Sequence, residues 1–369
     1  MTGRTRRPDR QDDEVLARAQ ARSPWLADRL VAWQRQSGRH HLPWQSDRSP
    51  YRVWLSEIML QQTQVSTVLG YFERFLQRYP TVADLAAAPL DDVLALWSGL
   101  GYYSRARNLH RCAQAVVAEH GGAFPSDSAT LQTLPGIGPS TAAAIASFCF
   151  GERTSIMDGN VKRVLSRVLG FEGDLSERVH EKALIAAAAA LVPQHSQDMV
   201  AYTQGLMDLG ATVCMPRKAA CLVCPWQEVC VGREQGEPER LPIKTRKLKR
   251  GEREHWWLWL QWGERVWLQQ MPQTGVWAGL WTLPLFEREA ELTAWCGPDA
   301  ARIELQPRIK HVLTHLDWHL HPRRLVWPEG ELPQDWAERL AARDPHGRWV
   351  APDALPTLGL PAALTKLLG

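Results

Sequence analysis

The chain lacks any apolar run approaching the roughly 18 residues that a membrane span needs. Its most apolar stretch, Ala183 to Val192, reaches about half that length and stops at Pro193. The first 22 residues have no apolar h-region, which argues against a signal peptide. Asp9, Asp12, Asp13 and Glu14 argue against an acid-poor transit peptide. Residues 1–22 therefore read as a flexible tail, and the whole as a cytoplasmic protein with no membrane role, nucleoid-associated if bacterial. A dominant charge is also missing. The 43 Lys and Arg face 40 Asp and Glu, a formal net charge of +3. That balance permits a nucleic-acid partner without requiring one, because the location of the charge decides. No internal repeat is visible, which argues against solenoid arrays. The 45% apolar content of 369 residues suits an ordinary globular chain with room for two cores.

Cysteine is sparse, with seven residues. Cys112, Cys149 and Cys296 are scattered in apolar contexts and read as small buried hydrophobes. The other four, Cys214, Cys221, Cys224 and Cys230, fall within seventeen residues. A cytosolic chain has little use for a disulfide knot there, so metal binding is the better reading. Zinc ribbons favour two separated C-x2-C knuckles, and this pattern has one. Four close thiolates in one loop suit a [4Fe–4S] cluster better than zinc. Arg217 and Lys218 lie inside the loop and would offset part of the thiolate charge.

Residues 23–231 read as helical, with breakers at Gly38, Pro80, Pro89, Gly121-Gly122 and Pro193. Residues 232–253 change character. Arg240, Lys244, Arg246, Lys247, Lys249, Arg250 and Arg253 make a basic linker, either solvated or laid on a polyanion. From residue 254 to 369 the pattern is mixed. Trp256–Leu260 and Val266–Leu268 flank Gly263 as hairpin strands, and further strands are predicted near Trp281–Leu285 and Val312–Leu320. Helices are predicted around Asp335–Arg343 and at the C-terminus. Twelve of the 18 tryptophans lie from Trp256 onward, an excess best explained by core packing of a small mixed sheet.

Three places carry chemistry. Leu134-Pro135-Gly136-Ile137-Gly138-Pro139 joins two helix candidates. Gly136 and Gly138 allow close approach of a ligand to the backbone, and Pro139 opens the next helix. Such a hairpin suits a DNA phosphate bound through amides without reading sequence; an ordinary tight turn between two helices is the alternative. In the helix begun by Ser49-Pro50, Glu57 shares a face with Val53 and Trp54. Burial would keep its carboxyl protonated, as a general acid requires; a structural pairing with a base is the alternative. Asp158-Gly159-Asn160 precedes a helix whose Val161, Val164, Leu165, Val168 and Leu169 form one stripe, ended by Gly170. Asn160 reads as its N-cap, with Asp158 just outside, ionised near the dipole. One neutral and one ionised carboxyl is the pairing that breaks glycosidic bonds.

Together these features closely resemble the adenine DNA glycosylases of the endonuclease III-like helix–hairpin–helix superfamily. The likeness runs from about Trp25 to the C-terminus. It is carried by Leu42-Pro43-Trp44, the run Trp54 to Val65, Gly99-Leu100-Gly101-Tyr102-Tyr103, the hairpin, Asp158-Gly159-Asn160-Val161 and the cysteine loop. The resemblance implies an α + β multidomain chain: an all-α helix–hairpin–helix glycosylase domain with an iron–sulfur loop, then a smaller α/β Nudix-like domain. It implies a monomer that removes adenine mispaired with 8-oxoguanine or guanine from double-stranded DNA. Glu57 would protonate the adenine, and Asp158 would stabilise the sugar cation. Gln62 and Tyr102 would enter the DNA stack beside the oxidised guanine. Gly136, Gly138, Ser140, Asn160 and Asp208 would also contact DNA or lie near the lesion. Leu313-Thr314-His315 matches the family's Phe-Ser-His lesion loop, with a leucine where the family has phenylalanine. The Nudix-like part lacks the Glu-rich magnesium box, so it would bind without hydrolysing.

The rival is the bifunctional endonuclease III type, which excises oxidised pyrimidines and cuts the strand. It carries a lysine just after the hairpin, where this chain has Ser140. Serine cannot form the imine that a lyase requires. In either reading the base must leave the duplex before a carboxyl can reach it.

Overall fold

The computed structural model describes residues 10–246, 249–330 and 332–369. They form two units. One holds the described part of Met1–Gln64 and Cys112–Lys247, the other that of Val65–Arg111 and Leu248–Gly369. This division differs from the linear one drawn from composition, because residues 65–111 pack with the C-terminal part.

The first unit is helical. It opens with a helix over Arg10–Ser37, so residues 10–22 are not a flexible tail. The reason is a stripe that the surrounding charges conceal: Val15, Ala19, Leu26 and Leu30 are almost fully buried. Polar groups fasten the same segment, as Arg22 Nη1 donates to the Val229 carbonyl at 2.8 Å and His180 Nδ1 lies 3.0 Å from Asp12 Oδ1. Pro24 removes one backbone donor without ending the helix. Residues 1–9 of the expected tail lie outside the described residues.

Further helices of this unit include Pro50–Leu60, Pro139–Phe150, Gly159–Leu169, Arg178–Ala190 and Met199–Asp208. Pro139–Phe150 is buried along Ala142–Phe148, which lets it pack closely against Pro50–Leu60. The basic linker is also more ordered than its composition suggests. Val231–Glu234 is helical, and Pro238–Arg240 makes a 3-10 turn. Arg240 pairs with Glu172, Leu241 is buried, and the Ile243 carbonyl accepts from Leu175 N at 3.0 Å. Lys244, Arg246, Lys249, Arg250 and Arg253 remain exposed, while Lys247 lies outside the described residues.

The second unit joins the helices of 65–111 to an eight-stranded sheet. The strands are β1 (Gly251–Trp262), β2 (Arg265–Gln270), β3 (Trp281–Thr282), β4 (Leu285–Phe286), β5 (Glu304–Leu305), β6 (Ile309–Val312), β7 (Leu316–Trp327) and β8 (Arg348–Val350). The order is β3-β2-β1-β7-β5, with β4 on β1, β6 on β7 and β8 on β2. β1 and β7 run parallel from Gly251↔Leu316 to Trp262↔Trp327. One face buries Leu258, Leu260, Leu325, Trp327, Trp336 and Leu340. On Trp277 stack Trp257 and Trp318, with centroids at 5.7 and 4.3 Å. The tryptophan excess is therefore largely core. The strand expected near Val312–Leu320 is found over Leu316–Leu320 as part of β7, but a corner at 313–315 separates it from Val312 in β6, where Leu313 N bonds to the Leu316 carbonyl at 2.8 Å. Among the described residues no helix is long and apolar enough to cross a membrane.

Candidate active site and DNA-contact residues

Pro50 starts the first acid's helix at a position where its missing N–H costs nothing. Seven of the helix's eleven residues are buried. Glu57 retains some accessible surface. Protein nevertheless crowds its carboxyl. That desolvation comes first and the Asp158 carboxylate second in pushing its pKa from 4.5 up to about 8.

Asp158 ends an extended segment and is itself the N-cap of Gly159–Leu169. Its Oδ1 accepts from Val161 N at 2.8 Å. The expected cap, Asn160, is the second residue of the helix. Its Oδ1 instead accepts from Arg163 Nη2 at 2.9 Å. The helix starts two residues earlier than expected because glycine at 159 takes the first helical position and leaves aspartate to cap. Ser140 Oγ accepts from Met157 N at 3.1 Å, tying the first turn after the hairpin to the segment that delivers Asp158.

The hairpin is anchored by buried Leu134 and Ile137, while Gly136 between them and Gly138 just after them lie exposed. Gly136 has φ 77°, where a side chain would be strained. Gln62 in the first unit and Tyr102 in the second share an uncommon backbone, with φ 57° and 50°, and both are exposed. Left-handed non-glycine residues cluster at functional sites. In the second unit the Tyr102 hydroxyl lies 2.5 Å from Thr314 Oγ1. Thr314 and His315 occupy the exposed corner between β6 and β7. A cavity of about 380 Å³, open to solvent, runs past Tyr102, Arg107, Trp277, His311, Thr314 and His315.

The family model for HhH-GPD superfamily base excision DNA repair proteins matches residues 55–188, and the NUDIX domain model matches residues 255–369. The adenine DNA glycosylase of Buchnera aphidicola subsp. Acyrthosiphon pisum is 36% identical over 79% of this chain and 84% of its own. That of Homo sapiens is 33% identical over 97% of this chain and 78% of its own. The chain belongs to the adenine DNA glycosylase family. A solved thermostable thymine-DNA glycosylase aligns with TM-score 0.50 and 26% identity, over 58% of this chain and 98% of that one. Its extent fits a shared helical glycosylase fold with a second, sheet-containing domain added.

Not every residue expected from the resemblance to the adenine DNA glycosylases sits where DNA could touch it. Asp208 is fully buried. Its Oδ1 accepts from Arg39 Nε at 2.7 Å and Gln204 Nε2 at 2.8 Å, and its Oδ2 from Arg39 N at 2.9 Å. It is a brace for the Gly38–Arg39 turn, not a lesion contact. A fully engaged buried carboxylate has no free lone pair facing solvent.

The four loop cysteines do come together. Cys214, Cys221, Cys224 and Cys230 line one small pocket of about 20 Å³ with Arg167. Cys224's thiol is pushed up to about 12, first by burial, with smaller contributions from the other three. Among the described residues, no three Cys, His, Asp or Glu converge as ligands of one ion would. Four thiols lining one pocket are a donor set that a metal–sulfur centre could use. The residue that sequence reasoning missed is Arg167. It is 1% exposed. It donates to Cys214 Sγ at 3.4 Å and to the carbonyls of Met215, Pro216 and Leu241 at 2.7, 3.1 and 3.0 Å. Arg163, four residues earlier, donates to the Cys214 and Gly210 carbonyls. The one available signal was this i,i+4 arginine pair, since nothing in local spacing links that helix to a loop some fifty residues on.

Proposed function

We propose that this glycosylase hydrolyses the bond between deoxyribose and adenine in double-stranded DNA where the adenine faces 8-oxoguanine or guanine, and leaves the strand intact. The observation that carries it is the pair of carboxyls in unlike environments. Glu57 holds a proton to about pH 8, and Asp158 is fixed at a helix N-terminus. A purine leaves poorly as an anion, so a proton delivered to its ring by Glu57 weakens the C1′–N bond. Positive charge then grows on the sugar, where Asp158 can stabilise it or trap it covalently. Water's hydroxyl finally joins C1′, and its proton can restore Glu57. A base inside the stack is out of reach, so adenine must first be flipped; a mispair lowers that cost.

Gln62 and Tyr102 would fill the space left in the stack, and Thr314 and His315 would read the partner base. Exposed left-handed backbone at the first two supports this. Gly136, Gly138, Ser140 and Asn160 lie along the segments that would hold the backbone phosphates. Four thiols round one pocket support a [4Fe–4S] cluster held by Cys214, Cys221, Cys224 and Cys230. When bound, such a cluster would cross-link the loop and add an electron-transfer centre. Ser140 in place of an amine supports hydrolysis without strand cleavage.

The experiment incubates the protein with duplexes bearing adenine opposite 8-oxoguanine, guanine or thymine, then treats them with alkali. Alkali-sensitive sites should arise at adenine opposite the two guanines and not opposite thymine. No site with any duplex would sink the proposal.

A further inference from the structure

Tyr102 is held in a strained conformation by a neighbour that the proposed chemistry does not use. A bulky residue at φ 50° costs about 1–3 kcal/mol and persists only where its surroundings over-determine it. Gly99 and Gly101, at φ 91° and 76°, bring the chain into that turn. Arg105 then fastens it. Nη2 of Arg105 donates to the Leu100 and Gly101 carbonyls at 3.2 and 3.1 Å. Trp97 Nε1 donates to the same Gly101 carbonyl at 3.0 Å. The Arg105 amide donates to the Tyr102 carbonyl at 2.8 Å. The guanidinium carbon lies 5.3 Å from the Trp97 ring and 5.5 Å from the Tyr102 ring. The peptide before Tyr102 and its ring are thus tied to one side chain, and the peptide after it to the same residue's backbone amide.

An arginine beside a DNA wedge would ordinarily suggest a phosphate contact. Arg105 is 8% exposed, which leaves it little surface to offer a phosphate. Burial lowers its pKa to about 10, so it still carries its charge at neutral pH.

We infer that Arg105 is a positioning residue that presets Tyr102 in its wedge conformation before DNA arrives. This rests on the reading of Tyr102 as a residue that enters the stack. Presetting removes an ordering cost from binding. A contact between a cation and a ring is worth about 0.5–2 kcal/mol, so its loss together with the carbonyl bonds should weaken binding about tenfold. Lysine keeps the charge and a donor for the carbonyls, but not the planar guanidinium that lies by the Trp97 and Tyr102 rings.

The test is a double-mutant cycle in the full chain. Binding is measured to a duplex carrying a non-cleavable adenine analogue opposite 8-oxoguanine, with thermal midpoints recorded alongside. Arg105→Met should weaken binding about tenfold, and Arg105→Lys should recover part of that loss. In the Tyr102→Ala background, Arg105→Met should cost less than about twofold more, because its route is already gone. If Arg105→Met does not fold, the cycle is run with Arg105→Lys and read the same way. Equal losses in both backgrounds would overturn the inference while sparing the wedge reading. Tyr102→Ala binding like the wild type would overturn both.

Discussion

At the residue scale the chemistry turns on one proton. Glu57 is useful as an acid only while neutral, and its pKa of about 8 keeps it so through neutrality. Single-turnover adenine release should therefore hold below about pH 8 and fall above it as Glu57 ionises. A rate still climbing at pH 9 would exclude Glu57 as the donor. Stability follows the same titration. The folded pKa lies above the ordinary 4.5, so this contribution is complete below 4.5 and is lost as pH rises through about 8. Glu57→Gln should then be relatively more stable than the wild type in mild alkali. Both Glu57→Gln and Asp158→Asn should cost about 10²–10⁴ in excision rate while mispair binding persists. Near wild-type excision by either variant would remove that residue from the mechanism. Glu57 was legible from spacing because Val53 and Trp54 show which face it shares. Spacing could not exclude a buried base beside it, which is a tertiary fact. Asp208 shows the converse. Its position in a motif reveals an acid but not the Arg39 and Gln204 donors that enclose it.

At the element scale, the helix Gly159–Leu169 joins two functions. Its N-terminus carries Asp158, and near its C-terminus Arg167 reaches into the cysteine loop. Replacing Arg167 by methionine strands three carbonyls and a sulfur that it now satisfies. Hydrogen bonds to charged groups are worth about 1.5–3 kcal/mol each. Arg167→Met should purify with less iron and less visible absorbance per chain, and with a lower thermal midpoint. Full iron content at unchanged stability would show that the loop organises itself. The hairpin helix Pro139–Phe150 allows a second prediction, at Ser140. The wild type should leave the strand whole until alkali is added. Ser140→Lys should introduce an amine and detectable strand cleavage, with slower base release because Met157 N loses its acceptor. Cleavage by the wild type in step with adenine release would favour the lyase reading. Element types were largely readable, since the stripes and glycine stops follow period and capping. The opening helix was not, because Val15 and Ala19 are too few apolar residues to stand out among charges until Arg178–Ala190 and Met199–Asp208 cover them.

At the scale of the whole molecule, the candidate site residues divide between the two units. Glu57, Asp158, the hairpin and the cysteine loop belong to the first, and Tyr102, Thr314 and His315 to the second. Composition located the change of character near residue 232. It could not show that 65–111 joins the sheet, because that packing spans well over a hundred residues of sequence. Ser98 and Tyr103 donate to the Leu360 carbonyl, and Asp91 accepts from Gln270 and Trp281. A chain cut near Arg233 would lose those partners, so any change in selectivity could reflect damage to the Tyr102 loop. Point changes at Thr314 and His315 in the full chain keep those partners, and of the two only Thr314→Val removes a contact of Tyr102, the hydroxyl 2.5 Å from its own. Thr314→Val keeps the side-chain shape and removes the hydroxyl, and His315→Ala removes the exposed ring. Losing one or two hydrogen bonds of about 0.5–1.5 kcal/mol each should lower the preference for 8-oxoguanine over guanine by roughly 2- to 160-fold. The fall in rate above pH 8 should stay where it is, because Glu57 and Asp158 are untouched. Glu57→Gln should do the opposite, slowing both duplexes alike. A double variant that keeps full discrimination would show that the β6–β7 corner does not read the lesion. One that moves the pH profile would show that reading and chemistry are not separately housed.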